Sequence, residues 1–299
     1  MSSEVKNLEK FKVIHFNENL SKYNWFNLGG PAEIFFKPQD LDGLIKFLKE
    51  IKKYNKKINV LGAGSNTLIR DGGFDGIIIK LSPNFSYVKK LDEYIIEAGA
   101  ATLDKKISDF ATDNSLSGLE FLSCIPGTIG GGIRMNSGCY GEEISNILHS
   151  IQVVDFFGNV KVFKKDEIKF HYRGTDLPEN LIILSVQLIG KLSKKEQIKQ
   201  KQLDLINKKK ISQPNQVKTC GSTFKNPKDK KAWQLIKESE CEKLSVGNAI
   251  ISEKHCNFFI NNGKATSLEI EKLIEAVKQK VFEKTGINLE LELKVIGKK

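Results

Sequence analysis

The chain has 299 residues, of which 40% are hydrophobic and 28% charged, with a formal net charge of +11. That length is the prior for two domains, and the apolar content is ample for buried cores. No apolar run approaches the roughly 18 residues of a membrane helix, and the start MSSEVKNLEK lacks the apolar core of a signal peptide, so the expectation is a cytoplasmic protein with no membrane insertion.

Short apolar runs alternate with amphipathic stretches from about residue 33 onward. EIFF (33–36) reads as a strand, Asp40 as the cap of a helix with Leu41, Leu44, Ile45, Leu48 and Ile51 on its apolar face, and 58–61 and 76–81 as further strands. A second α/β unit runs from about 85 to 190. It holds a strand at YIIEAG, a helix over 103–114, a hairpin over 150–163 turning at Gly158 and Asn159, and a strand at 182–189. Residues 191–210 carry eight lysines and few large apolar groups, which places a boundary there on an exposed helix. Beyond it come helices near 230–239 and 267–284, a strand at NFFI, and a closing NLELELKVI that alternates like a strand, with Leu289, Leu291, Leu293 and Val295 on one face.

Residues 118–141 contain seven glycines but only two charged side chains, Glu120 and Arg134. Glycine lets a main chain approach a ligand closely and point N–H groups at phosphate oxygens. GAGSNT (62–67) also follows a strand, yet it fails as a Rossmann turn. Its sixth position is Thr67, no long helix follows, and no acidic residue ends a second strand at the expected distance. Two anion-cradling loops about 60 residues apart, GAGSN and PGTIGG, would together suit a pyrophosphate.

Only three of the 47 basic residues are arginine: Arg70, Arg134 and Arg173. Arginine grips carboxylate or phosphate bidentately where lysine does so poorly. A surface-turn role is the expectation for Arg70, and a functional one is favoured for Arg134 and Arg173. The five cysteines are odd in number and lack CxxC or zinc-like spacing with the four histidines, so reduced thiols and no metal site are expected. Dispersed lysines without an interleaved aromatic stripe argue against nucleic acid and for a solvated surface whose field attracts a polyanionic small molecule.

NWFNLGGPAE, VLGAGSNTLIRDGGFDG, GLEFLSCIPGTIGGGIRMNSGCYG, HYRGT, GSTFKNP, SEKHCNFFIN and LELELKVIG, in this order over about 20–297, resemble the UDP-N-acetylenolpyruvoylglucosamine reductase (MurB) family. The resemblance implies an α+β fold, with a two-subdomain FAD-binding module of the vanillyl-alcohol-oxidase type (20–84 and 85–200) followed by a smaller α/β substrate-binding domain (201–299). It also implies a non-covalent FAD, NADPH as reductant, and a UDP-sugar whose enolpyruvyl group is reduced to give UDP-N-acetylmuramate for peptidoglycan. By the same resemblance Gly62, Ala63, Gly64, Ser65 and Asn66, with Pro126, Gly127, Thr128, Ile129, Gly130 and Gly131, would cradle the FAD pyrophosphate, and Asn136 and Gly138 would line the same cleft. Arg173 matches the catalytic arginine, Ser222 the proton donor and Glu292 the strand-borne glutamate, with Glu290 as fallback. Periodicity alone prefers a solvated strand face for Glu292. Lys225, Asn226 and His255 are candidates for substrate contacts. The short span between Arg173 and Ser222 leaves no room for an inserted tyrosine loop, which implies the short branch of the family. A flavin oxidase on the same scaffold is the competing enzymatic reading, because fold alone does not fix the reaction. A monomer is the default.

Overall fold

The computed structural model describes residues 8–11 and 13–299, which divide into two compact units. The first contains residues 34–63 and 76–208 together with the described residues up to Phe16, and the second contains 17–33, 64–75 and 209–299. The sequence expectation of a boundary near 200 used composition alone, so it could not register that 17–33 and 64–75 belong with the C-terminal third.

The first unit is built on two sheets. In chain order the elements of its first sheet and helix are β1 (Ile14–Asn19), β2 (Pro31–Phe36), α1 (Leu41–Ile51), β3 (Ile58–Val60) and β5 (Phe74–Ile79), of which β1, β2 and β5 include residues of the second unit, where β4 (Thr67–Ile69) lies. These strands form a sheet of order β1-β2-β5-β3, with β3 parallel to β5. The Asp40 side chain accepts from Gly43 N at 2.7 Å, so the first turn of α1 is capped as its sequence anticipates. Leu44, Phe47, Leu48 and Ile51 of α1 are buried, and Phe47 stacks on Phe36 with ring centroids 3.7 Å apart.

The second sheet comprises β6 (Val88–Lys90), β7 (Ile95–Gly99), β8 (Leu148–Asp155), β9 (Val160–Lys164) and β10 (Leu181–Ile189), paired antiparallel in the order β9-β8-β10-β7-β6. Between β7 and β8 lie α2 (Asp104–Asp113) and α3 (Ile129–Met135). The last, a short helix through Gly130, Gly131 and Gly132, was not legible in the sequence, because each glycine in a helix interior costs about 1 kcal/mol relative to alanine. Burial of Ile129 and Ile133 in the core between the helices and the sheet offsets that cost. The lysine-rich stretch forms α4 (Lys195–Ser212), moored to α2 by Gln202, whose Nε2 donates to Ser108 Oγ at 3.1 Å and Asp109 Oδ1 at 2.9 Å.

In the second unit α5 (Ala232–Glu238), β11 (Ala249–Ile251), β12 (Phe259–Asn261) and α6 (Ser267–Thr285) precede β13 (Lys294–Ile296). A Thr266–Glu269 capping box starts α6 and Gly286 in the left-handed region ends it. Ile270, Leu273, Ile274, Val277 and Val281 bury one face of α6. The closing segment departs from the single long strand expected of it: regular pairing is confined to β13, parallel to β4. The cause is a change of partner. Lys225 N donates to Glu290 O and Glu292 N to Thr223 O, after which the chain leaves 223–225 and runs alongside β4.

Candidate active site

At the end of β3 Leu61 N donates to Ile79 O, and the chain then turns at Gly62. A Cβ on Gly62 would stand 2.7 Å from Thr128 Oγ1, so glycine lets the GAGSN loop approach the PGTIGG loop without displacing that hydroxyl. The two loops singled out in the sequence therefore meet within the first unit, which also holds Ala63, Pro126 and Gly127. Two members of the expected cradle need correction. Ile129 N donates to Thr102 O and Gly130 N to Ala100 O, so these N–H groups anchor the loop and are not turned to a phosphate; the Ile129 side chain lies in the core. Gly131, which is exposed, has no such commitment of its position to the core.

Lys80, immediately after β5, donates from Nζ to the Gly62 carbonyl. Burial and the neighbouring Lys37 charge push its pKa down to about 8.

The Arg173 segment is held from the other end of the same glycine-rich stretch. Asn136, fully buried at the end of α3, donates from Nδ2 to His171 O at 3.2 Å and accepts from Ser145 N at 3.1 Å. Arg173 itself has a left-handed backbone, φ 57°, and its Nη2 donates to Gly138 O at 2.9 Å while the guanidinium lies over the Tyr172 ring. A non-glycine residue that adopts this conformation is over-determined by its surroundings. A Cβ on Gly138 would fall 2.2 Å from Glu142 O, so glycine is required for the turn whose carbonyl receives Arg173. In this structure Asn136 and Gly138 set the Arg173 loop, a role that the sequence reading did not assign to them.

Ser222, Lys225, Asn226, His255 and Glu292 all fall in the second unit, with Gly64, Ser65 and Asn66. Ser222 is bridged to Phe258, and the adjoining Thr223 carbonyl accepts from Glu292 N at 2.9 Å, so the serine and glutamate segments are neighbours. Glu292 is partly buried, whereas Glu290 is exposed and pairs with Lys225 at 3.6 Å; burial thus separates the favoured glutamate from its fallback. Asn66 Nδ2 donates to Glu292 O at 3.0 Å. Asn226 Oδ1 accepts from Ala232 N at the start of α5, a structural task. The His255 ring packs edge-on against Phe258, and burial pushes its pKa down.

Asn257 was missed by sequence reasoning. Only 3% exposed, it accepts from Phe224 N at 3.0 Å and donates to Phe224 O at 2.8 Å, while its own carbonyl accepts from Thr223 N. Its signal in the sequence was a carboxamide just before the apolar run FFI.

Arg70 makes a bidentate pair with Glu271 and donates to Gly297 O, and Arg134 donates to the carbonyls of Leu177, Pro178 and Leu181. The functional reading favoured for Arg134 is thus corrected to a structural one. Cys220 Sγ donates to Gly64 O and Thr67 O, and burial pushes its thiol up to about 12, so it packs and does not react. Among the described residues no disulfide joins the cysteines, no group of three metal-ligating side chains occurs, and no helix is long and apolar enough to cross a membrane.

A glycine cradle closed against a threonine hydroxyl, with a lysine ammonium at its rim, is chemically suited to a dinucleotide phosphate. Residues 32–164 match the FAD binding domain family, and the class is accordingly that of α+β flavoproteins that bind FAD. Residues 213–296 match the C-terminal domain of UDP-N-acetylenolpyruvoylglucosamine reductase. The chain is 50% identical over 286 residues to the UDP-N-acetylenolpyruvoylglucosamine reductase of Pelagibacter ubique, covering 95% of this chain and 94% of that one. It is 44% identical over 280 residues to the enzyme of the same name from Rickettsia akari, with 94% of each chain covered. The crystal structure of MurB from Thermus caldophilus superposes with a TM-score of 0.82 at 31% identity, covering 95% of this chain and 98% of that chain. The chain belongs to the UDP-N-acetylenolpyruvoylglucosamine reductase family. It is an FAD-dependent oxidoreductase of peptidoglycan precursor synthesis.

Proposed function

We propose that the protein uses NADPH to reduce the enolpyruvyl ether of a UDP-sugar to UDP-N-acetylmuramate, with Arg173, Ser222 and Glu292 as its catalytic residues. Bound FAD supplies the hydride chemistry. The chain's own residues must hold the enolpyruvyl carboxylate, stabilise the negative charge that reduction places on the adjacent carbon, and protonate that carbon. Groups that act only on this developing charge raise the rate, whereas uniform grip on the substrate does not.

Arg173 would grip the carboxylate bidentately. Ser222 would donate the proton, because a carbanion is basic enough to take one from a hydroxyl. Glu292 would hydrogen-bond the enolic form. Lys225 and His255 would contact the substrate. Gly62 and Ala63, with Pro126, Gly127, Thr128 and Gly131, would lie at the FAD diphosphate, with the first unit for flavin, the second for substrate, and the cytoplasm as the place of work.

The observation that carries this reading is the adjacency of the Ser222 and Glu292 segments, fixed by the Glu292 N to Thr223 O bond, in a chain of this family. Stopped-flow measurement of the two half-reactions of Ser222→Ala tests it. Flavin reduction by NADPH should stay nearly intact, and reoxidation by the UDP-sugar should slow by roughly 10²–10⁴-fold, the usual range for loss of a positioned acid. Equal loss in both half-reactions would remove Ser222 from the proton-donor role.

A further inference from the structure

Three adjacent strands end at one edge of the first sheet, and two of them deliver a lysine there. Lys37 follows β2, Lys80 follows β5, and Gly62 lies two residues beyond β3. Lys80 N donates to Phe36 O and Leu61 N to Ile79 O, so the three chain exits lie side by side. Edges where the chain leaves neighbouring strands are where open α/β sheets receive ligands.

The Lys80 ammonium is largely buried, and among the described residues no carboxylate accepts from it. Among the described residues its acceptor is the Gly62 carbonyl, and the charge that bears on it is the like charge of Lys37. A buried cation set beside another cation is unfavourable without a counter-anion. An ammonium has three donors and the Gly62 bond uses one. Thr128 Oγ1 abuts the same Gly62, so an ammonium, a hydroxyl and the backbone of both glycine loops converge at one point.

We propose that Lys80, steadied by the Gly62 carbonyl and seconded by Lys37, is the cationic half of the cofactor's phosphate subsite and donates directly to an oxygen of the FAD diphosphate. The assignment rests on the reading that these two loops hold that diphosphate. Backbone amides then position the phosphate, and Lys80 supplies the full charge that no arginine provides there.

The test uses the full chain stripped of flavin and titrated with FAD and with riboflavin, which lacks phosphate, following flavin fluorescence. Lys80→Met should weaken FAD binding by roughly tenfold to a hundredfold, the range expected for one hydrogen bond between charged groups. It should leave riboflavin binding and the circular dichroism spectrum unchanged. Unaltered FAD affinity in Lys80→Met, or equal loss of FAD and riboflavin, would overturn the proposal, the latter by showing Lys80 to be a loop strut. Should the variant not fold, the unmodified chain decides the question. Its FAD affinity should fall between pH 7 and 9 as Lys80 loses its proton, and a flat profile would count against the assignment. An unmodified chain that takes up no FAD at all refutes the cofactor placement, a failure distinct from either of these.

Discussion

The Asn66 side chain donates to the backbone carbonyl of Glu292 across 3.0 Å, although the two residues are 226 positions apart. The Asn66 carbonyl also accepts from Lys294 N, so one residue of the GAGSN loop holds the closing segment at the glutamate and again two residues beyond it. Asn66→Ala should therefore cost about 0.5–1.5 kcal/mol, the usual net worth of one such bond, measured by urea denaturation. It should slow flavin reoxidation by the UDP-sugar more than flavin reduction by NADPH, because the displaced group is Glu292.

Asn257 bears the same relation to Ser222. Its carboxamide satisfies both backbone groups of Phe224, two residues after the serine, from a fully enclosed position. Asn257→Ala should destabilise the chain by about 1–3 kcal/mol for each buried group left unpaired. Asn257→Asp, which buries a carboxyl and sets an oxygen against the Phe224 carbonyl, should destabilise at least as much as Asn257→Ala. Urea midpoints of the three proteins order them.

How far the sequence discloses the site is best seen in its three arginines. Their scarcity correctly signals bidentate or multiple gripping, yet Arg70 grips Glu271 and Arg134 grips three backbone carbonyls, so two of the three anchor the protein itself. Residue type reports the geometry a side chain can make and is silent on whether its acceptor is a ligand or the protein's own backbone. The helix at 41–51, the 148–164 hairpin and the helix at 267–285 were legible because capping and periodicity are local. The helix at 129–135 and the change of partner at 290–294 were not, because each depends on contacts remote in sequence. Asn257, and the backbone-holding role of Asn136, were hidden for a related reason: a buried carboxamide that serves the backbone has the same letter as one on a surface turn.

Arg173 provides the third prediction. Its guanidinium spends Nη2 on Gly138 O and lies over the Tyr172 ring, which fixes the plane of the fork. Lysine retains the charge and loses the plane and the second donor. Arg173→Lys should lower turnover with the UDP-sugar by roughly tenfold to a hundredfold, equivalent to one hydrogen bond to a charged group. Steady-state kinetics and the NADPH half-reaction together check this, because flavin reduction by NADPH should be unaffected.

The last prediction concerns Asp104, at the first position of the helix at 104–113. Its backbone N donates to Gly127 O, but its carboxyl is wholly buried and, among the described residues, neither oxygen has a hydrogen-bond partner. Burial without compensation pushes its pKa well above the ordinary carboxylate value. The native chain then holds this proton where the unfolded chain has released it. By linkage, stability falls as pH rises from about 4, the unfolded value, up to the folded pKa, and is level beyond it. Asp104→Asn cannot ionise in either state and removes that slope. The variant should match the parent in relative stability near pH 4 and gain on it progressively toward neutrality. Urea denaturation of both proteins at several values between pH 4 and 8 measures the difference, and a constant offset across that range would mean that Asp104 is ionised in the folded chain.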